Sequence, residues 1–529
     1  MAVSSTNGKT LDSSSDENEA TEKEISNNNY LTFRNGLFFL KMYFIFVAIL
    51  QGIGVLGLPN SLHRSGIQPM IVTTAFSFIL EVMVSYTFLI ITQKAIAIKY
   101  FHKESQNILD DESESEEIVL DDKQREKIDK NKNVNTHLLS ALFLPKYLRI
   151  TFDLIMLLKY FLWSIIVALA ASQAYSGLIL VSAETIAPIF IIITAVCYIF
   201  LKKPLMIILP TLSFARSGLI IVMIIISFII GKSIGNDISN NWIYSGDTIF
   251  LTLLSISGGG RALVYFFSYV QYDRKQIIIF FGAVVAAKFT TGVINILWCY
   301  AVLYVVPQTC SPMIRDGISL ANMTESGIPC QLTLKWAAEN GKISTVPLSI
   351  ILKDFYPQYA WLALVIRLFI VLSTTLSYLT NGMSASSWMS GMLVNIRERM
   401  TNSKISCSCT GDEDASKDAH YVEYQEGNFP DRVLDQLIQW IYVALIILIV
   451  MLNPKGFFIL INHIETASKY IVDSIFVLAL YRTSAVTKYR NISVPISPSA
   501  NWFYVVVFLT IIHAALFVYN FWFLSQYSF

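Results

Sequence analysis

Eleven stretches of this chain are apolar for long enough to cross a bilayer as helices: about 37–64, 68–95, 149–181, 184–201, 204–231, 247–271, 276–305, 357–395, 432–452, 455–481 and 501–526. Crossing a hydrocarbon core takes about 20 helical residues. The core offers no water to the backbone, so such runs must satisfy their own N–H and C=O groups as helices. The expected fold class is therefore an all-α polytopic membrane protein. The third, fourth and fifth runs lie so close together that ten or twelve spans remain open as alternatives. Composition agrees, with 54% of the 529 residues apolar and 15% charged, against roughly 25% charged in soluble domains. A net charge of +1 gives nucleic acid no footing. No CxxC pair, HExxH or other metal-ligand spacing occurs, so neither a metal nor a cofactor is expected. Six histidines, with His463 and His513 inside spans, give thin support to a membrane enzyme, and none is expected. The partner implied directly is the lipid bilayer.

Basic residues set the expected orientation. With a cytosolic N-terminus, the inner loops hold Lys94 and Lys99, Lys202 and Lys203, Arg274 and Lys275, Arg397 and Arg399, and Lys488 and Arg490, which satisfies the positive-inside bias. Residues 1–36 are polar, rich in Ser, Asn and acids, and read as a disordered cytosolic tail without a cleavable signal. The spanning domain then covers 37–526. Loops 101–137, which is acidic, and 396–431 fall in the cytosol, and loop 306–356 falls outside. That outer loop carries the sequon Asn322-Met323-Thr324 between Cys310 and Cys330. A glycan on Asn322 and a Cys310–Cys330 disulfide both suit the exoplasmic compartment. The sequon at Asn491 falls inside and should be silent. A plasma or endolysosomal membrane fits this topology.

Two spans carry the means of their own interruption. The first contains Gln51-Gly52-Ile53-Gly54-Val55-Leu56-Gly57-Leu58-Pro59, and the sixth contains Gly258-Gly259-Gly260. Glycine and proline make a continuous helix improbable at such places. Close packing of small residues is one reading of each break. Interruptions at matching positions of two five-helix halves point instead to a transporter site at the membrane midplane.

Gly52-x-Gly54-Val55-Leu56-x-Leu58-Pro59, followed by Ser65-Gly66, resembles the first-helix signature of the amino acid/auxin permease family. Tyr272-Asp273-Arg274-Lys275 resembles that family's short charged turn, and Val365, Arg367 and Leu368 with Thr375-Leu376-Ser377 resemble a motif of its sodium-coupled members. The resemblance implies a LeuT-like five-plus-five inverted repeat with broken helices 1 and 6, working as a secondary active carrier of amino acids. In that picture the substrate carboxylate meets the freed N–H groups of Gly52, Gly54 and Val55, at the positive end of a half-helix. Its ammonium meets carbonyls around Ile256, Ser257 and Gly258. A sodium site would draw hydroxyls from Thr375 and Ser377. The chain departs from the family where Ala48 replaces an Asn of the sodium-coupled relatives and Leu379 replaces a proline. Coupling to protons, or none to sodium, is therefore the expectation. A non-transporting amino-acid sensor of the same fold is the alternative; no pore-loop filter suggests a channel.

Ionisable residues inside spans are costly and mark either interhelical ion pairs or function. Glu81, Arg216, Lys288 and the i, i+4, i+8 series Glu465, Lys469 and Asp473 lie at depth, while Asp153 and Lys159 lie nearer an end where snorkelling is cheap. Glu81 is the expected proton carrier. Arg216 is expected to set a fixed guanidinium beside the first and eighth spans.

Overall fold

A computed structural model describes residues 33–51, 54–105, 134–179, 181–257, 259–310, 313–315, 318–320, 324, 328–340, 343–406, 429–452, 467–485 and 494–527. The protein is an all-α, multi-pass membrane protein; among the described residues ten helices are long and apolar enough to span. Span 1 is two pieces, 1a (Phe33–Leu50) and 1b (Gly54–Ser65). Span 2 is Ile67–Ser105, span 3 Lys146–Ile179, span 4 Ala183–Phe200 and span 5 Lys202–Ile234. Span 6 is described on both sides of residue 258, as 6a (Ser245–Ser257) and 6b (Gly259–Phe266). Span 7 is Arg274–Val305, span 8 Ala360–Ser406, span 9 Phe429–Leu452 and span 11 Trp502–Tyr527. The run at 455–481 lies partly outside the described residues. Its described part, span 10, is helical over 467–484 and widens to a π-turn at Val472–Phe476.

The loop boundaries differ from the hydropathy reading because helices continue past the apolar core. Span 1 starts within the expected tail, at Phe33. Span 2 runs on to Ser105 and span 8 to Ser406. The end of the expected acidic loop is not solvated: Val134 to His137 are buried, and a short helix, Thr136–Phe143, begins there under an Asn135 side-chain cap. Asp153 does not snorkel; its carboxylate meets His137 Nδ1 at 3.1 Å and accepts from Ser140 Oγ at 3.0 Å. Lys159 is likewise buried. In the loop after span 7, Cys310 and Cys330 are joined with Cα atoms 5.1 Å apart. A hairpin pairs Met313–Arg315 with Ile318–Leu320, and helices Leu334–Glu339 and Thr345–Asp354 follow. Asn322 and Asn491 lie outside the described residues.

Packing separates centre from periphery. Span 6 is 80% buried over its apolar window, whereas spans 9 and 11 are 28% and 17% buried and turn Leu, Ile and Phe side chains outward. Spans 1b and 6a, 2 and 7, and 3 and 8 pack on one another. Each pair joins helices five spans apart, as two inverted repeats place the elements nearest their shared axis. The buried apolar side chains form two clusters. One takes in Val47, Leu209, Ala287 and Leu376; the other, at the disulfide end, takes in Val55, Ile220, Ile294 and Ile370. Between these clusters fall Gln51, Arg216, Lys288 and Ser373. A polar layer thus crosses the bundle at the level of the first break.

At the disulfide end, 1b turns into span 2 on Gly66, with φ +80°. A Cβ there would run into the Ser239 carbonyl and Asn240, so only glycine fits. Asn241 N donates to Ser65 O at 2.8 Å, Thr248 Oγ1 to Ser65 Oγ at 2.8 Å, and Gln308 Nε2 to Leu62 O at 2.8 Å.

Candidate functional site

Helix 1a gives way to a bend at Gln51, whose N–H still donates to Val47 O at 3.0 Å, and a helix end leaves carbonyls in need of donors. One side chain closes that end. Arg216, fully buried on span 5, donates Nη2 to Val47 O at 2.6 Å, and Nη1 to Gln51 O at 2.9 Å and Ala48 O at 3.2 Å. Ser373 of span 8 donates to the same Gln51 carbonyl at 2.7 Å. Gln51 turns its own amide oxygen toward Arg216 Nη2, at 3.4 Å, and Ser217 Oγ, at 3.5 Å. Two polar atoms here are buried without a partner among the described residues, Arg216 Nε and Gln51 Nε2. Both are donors. No carboxylate pairs with Arg216 among the described residues; the helix end itself offers it about half a negative charge.

Carbonyls of 6a, close to residue 258, are met by a different set of cations. Lys288 of span 7 donates to Ile256 O at 2.9 Å, and Lys469 of span 10 donates to Leu253 O at 3.2 Å. One carboxylate joins these two lysines: Glu81 of span 2 lies 3.1 Å from Lys288 Nζ through Oε2 and 2.6 Å from Lys469 Nζ through Oε1. Asp473, in the π-turn, stands 3.9 Å from Lys469. Nearby, Asn295 Nδ2 donates to Ser255 Oγ at 3.1 Å. Two cations and two carboxylates balance here without any ligand.

The expected site residues are distributed as follows. Val55 and Ile256 are fully buried beside the two breaks, Gly54 opens 1b, and Ser257 closes 6a with its hydroxyl on Leu254 O at 3.0 Å. Gly52, Gly258 and Glu465 lie outside the described residues. The Ile256 carbonyl, expected to receive a substrate ammonium, is taken by the ammonium of Lys288. Arg216 sits where a fixed cation was expected, between the first and eighth spans. Glu81 is the shared counter-ion of two lysines rather than a lone buried acid. The expected charge ladder along span 10 is not closed on itself, since Lys469 reaches Glu81 more closely than Asp473.

Thr375 does not face span 1. Its hydroxyl is engaged by Val371 O at 2.7 Å and Tyr175 OH at 3.0 Å, toward span 3. Ser377 is buried with no partner on Oγ among the described residues. The hydroxyl that reaches the broken helix is Ser373, which was not singled out. Its signal is spacing: Ser373 and Ser377 are i and i+4, on one helix face, whereas Thr375 is about 200° away from either.

No protein-family model matches this chain, and no curated protein does. Among solved structures it is similar to a manganese transporter of Eremococcus coleocola, in complex with an aromatic bis-isothiourea substituted compound, at 10% identity and a TM-score of 0.45, over 91% of this chain and 88% of that one. A mutant of the same transporter aligns at 12% identity and a TM-score of 0.43, over 91% and 86% of the two chains.

Proposed function

We propose that this protein is a secondary active transporter that carries a small carboxylate-bearing solute, with amino acids the expected class, by alternating access. On this reading it is a divergent relative of the amino acid/auxin permeases. The observation that carries the proposal is the interruption of span 1 at Gln51, where Arg216 and Ser373 of neighbouring spans hold the backbone carbonyls from outside, while five spans on Lys288 and Lys469 reach carbonyls of 6a. Irregular backbone at depth is tolerated where it lines a cavity or a binding site. Here the exposed carbonyl ends of 1a and 6a are held by resident cations, while the N-terminus of 1b, starting at Gly54, presents N–H groups and the positive end of a dipole to a carboxylate. The rest is conformational: rocking one group of spans against the other opens the site to each side in turn.

Arg216 also bears on the coupling ion. A sodium ion between spans 1 and 8 needs carbonyls at the end of 1a, and the Arg216 guanidinium occupies three of them. Transport independent of sodium follows, with a proton as the coupling ion if one is used. Uptake of a radiolabelled amino-acid panel into proteoliposomes, with and without sodium and a pH gradient, tests this. The expected result is saturable uptake that survives replacement of sodium by choline. Binding without flux would instead identify a sensor, and neither would end the proposal.

A further inference from the structure

We infer that the binding site recognises its cargo as an anion, through a carboxylate alone, and that the place of a cargo ammonium is filled from within by Lys288. The inference rests on the transporter reading and names the substrate class of that same site.

The charges decide it. Around the first break stand the Arg216 guanidinium, the carbonyl end of 1a and the N-terminus of 1b. A helix end carries about half an elementary charge of either sign. The two helix ends therefore cancel, and Arg216 leaves one positive charge uncompensated among the described residues. A buried lone cation is costly, and one carboxylate would neutralise it. Around residue 258 of span 6, Lys288 and Lys469 are matched by Glu81 and Asp473. That region needs no further charge of either sign.

Hydrogen-bond capacity points the same way. The carbonyls of Val47, Ala48, Gln51, Leu253 and Ile256 already accept from arginine, lysine or serine. Of the unpartnered atoms about the first break, Arg216 Nε and Gln51 Nε2, on residues with no exposed surface, can only donate, and the hydroxyls of Ser213 and Ser377 can donate as well. The buried oxygens without a hydrogen-bond partner in that region include Asn295 Oδ1 and the hydroxyls of Ser85 and Thr291, neutral groups that do not replace a carbonyl helix end. An ammonium entering this site finds its natural partner occupied; a carboxylate finds donors waiting.

The test uses the purified full-length protein and two matched probe sets: leucine, 2-hydroxyisocaproate, leucinamide and isoamylamine; and alanine, lactate, alaninamide and ethylamine. Binding is read as ligand-induced thermal stabilisation in detergent, and carriage as uptake into proteoliposomes. The hydroxy acid of the better-bound set should match its amino acid within about threefold, with the amide and the amine inert. A site that hydrogen-bonds an ammonium would reject the deaminated acid by a factor of about 100 or more. That result, or binding of the bare amine, overturns the inference while leaving an amino-acid transporter standing. Binding of no carboxylate overturns both. In Lys288→Met combined with Glu81→Gln, which removes one charge of each sign, the Ile256 carbonyl is vacated, and preference should swing about tenfold toward the amino acid. An unchanged ratio in the folded double variant counts against Lys288 as the resident ammonium. Gln51→Leu should weaken all carboxylates alike by about tenfold.

Discussion

Spans 1 and 6, five apart, both bring backbone carbonyls to buried cations and receive opposite electrostatic answers. At the first, a single arginine from span 5 closes the carbonyl end and keeps its positive charge. At the second, two lysines close the end, and Glu81 draws them into a network that balances internally. In each half the last span contributes a cation, span 5 through Arg216 and span 10 through Lys469, so the capping device repeats with the fold. What does not repeat is the counter-ion. A balanced network holds helices together, whereas an unbalanced cation is poised for a ligand. The difference assigns structure to one break and recognition to the other.

The largest effect is expected where that balance is removed. Glu81→Gln strands two buried lysines, and breaking a buried pair costs about 3–5 kcal/mol. Thermal unfolding in detergent should shift accordingly, and Glu81→Gln with Lys469→Met should recover much of the loss, because the two sites are coupled. Wild-type stability in the single variant would erase the contrast between the breaks. Arg216→Lys comes next. An ammonium lacks the planar fork that reaches Val47 and Gln51 together, and each lost charged hydrogen bond is worth about 1.5–3 kcal/mol. Uptake should fall by about 10- to 100-fold, with a smaller drop in stability than at Glu81.

Ser373→Ala removes one of the donors on Gln51 O, for about 1 kcal/mol, and should lower uptake about fivefold. Thr375→Ala, facing Tyr175, should change uptake less than Ser373→Ala; the reverse order would return Thr375 to the site. The smallest effect is none: exchanging sodium for choline should leave the uptake rate as it is, and loss of uptake would mean that Arg216 does not stand in for an ion.

Much of this arrangement was legible in the chain. Hydropathy located the spans, and glycine clustering located the break in span 1, because backbone geometry is written in local residue types. The ionisable residues at depth were visible too, since each interrupts an apolar run. Their partners were not. Lys288 and Glu81 are 207 residues apart, and nothing local in span 10 says that Lys469 prefers Glu81 to its own Asp473. The choice between Ser373 and Thr375 turned on helical phase, which the Thr375-Leu376-Ser377 motif leaves open until span 1 is seen against span 8. Loop ends such as Thr136 and His137 were misread because polar residues beside a charged run look solvated, whereas their burial depends on span 8 and span 3 packing over them.

Gly66 dictates which parts of the molecule can slide. With the turn pressed onto Ser239 and Asn240, and Ser65 tied to both Asn241 and Thr248, half-helices 1b and 6a are riveted together at the disulfide end. They swing as one crank, and shear between them is confined to the opposite ends, at Gly54 and Ser257. A bulky residue at 66 would prise that joint open, so a glycine outside both charge networks would govern the stroke of both half-helices at once.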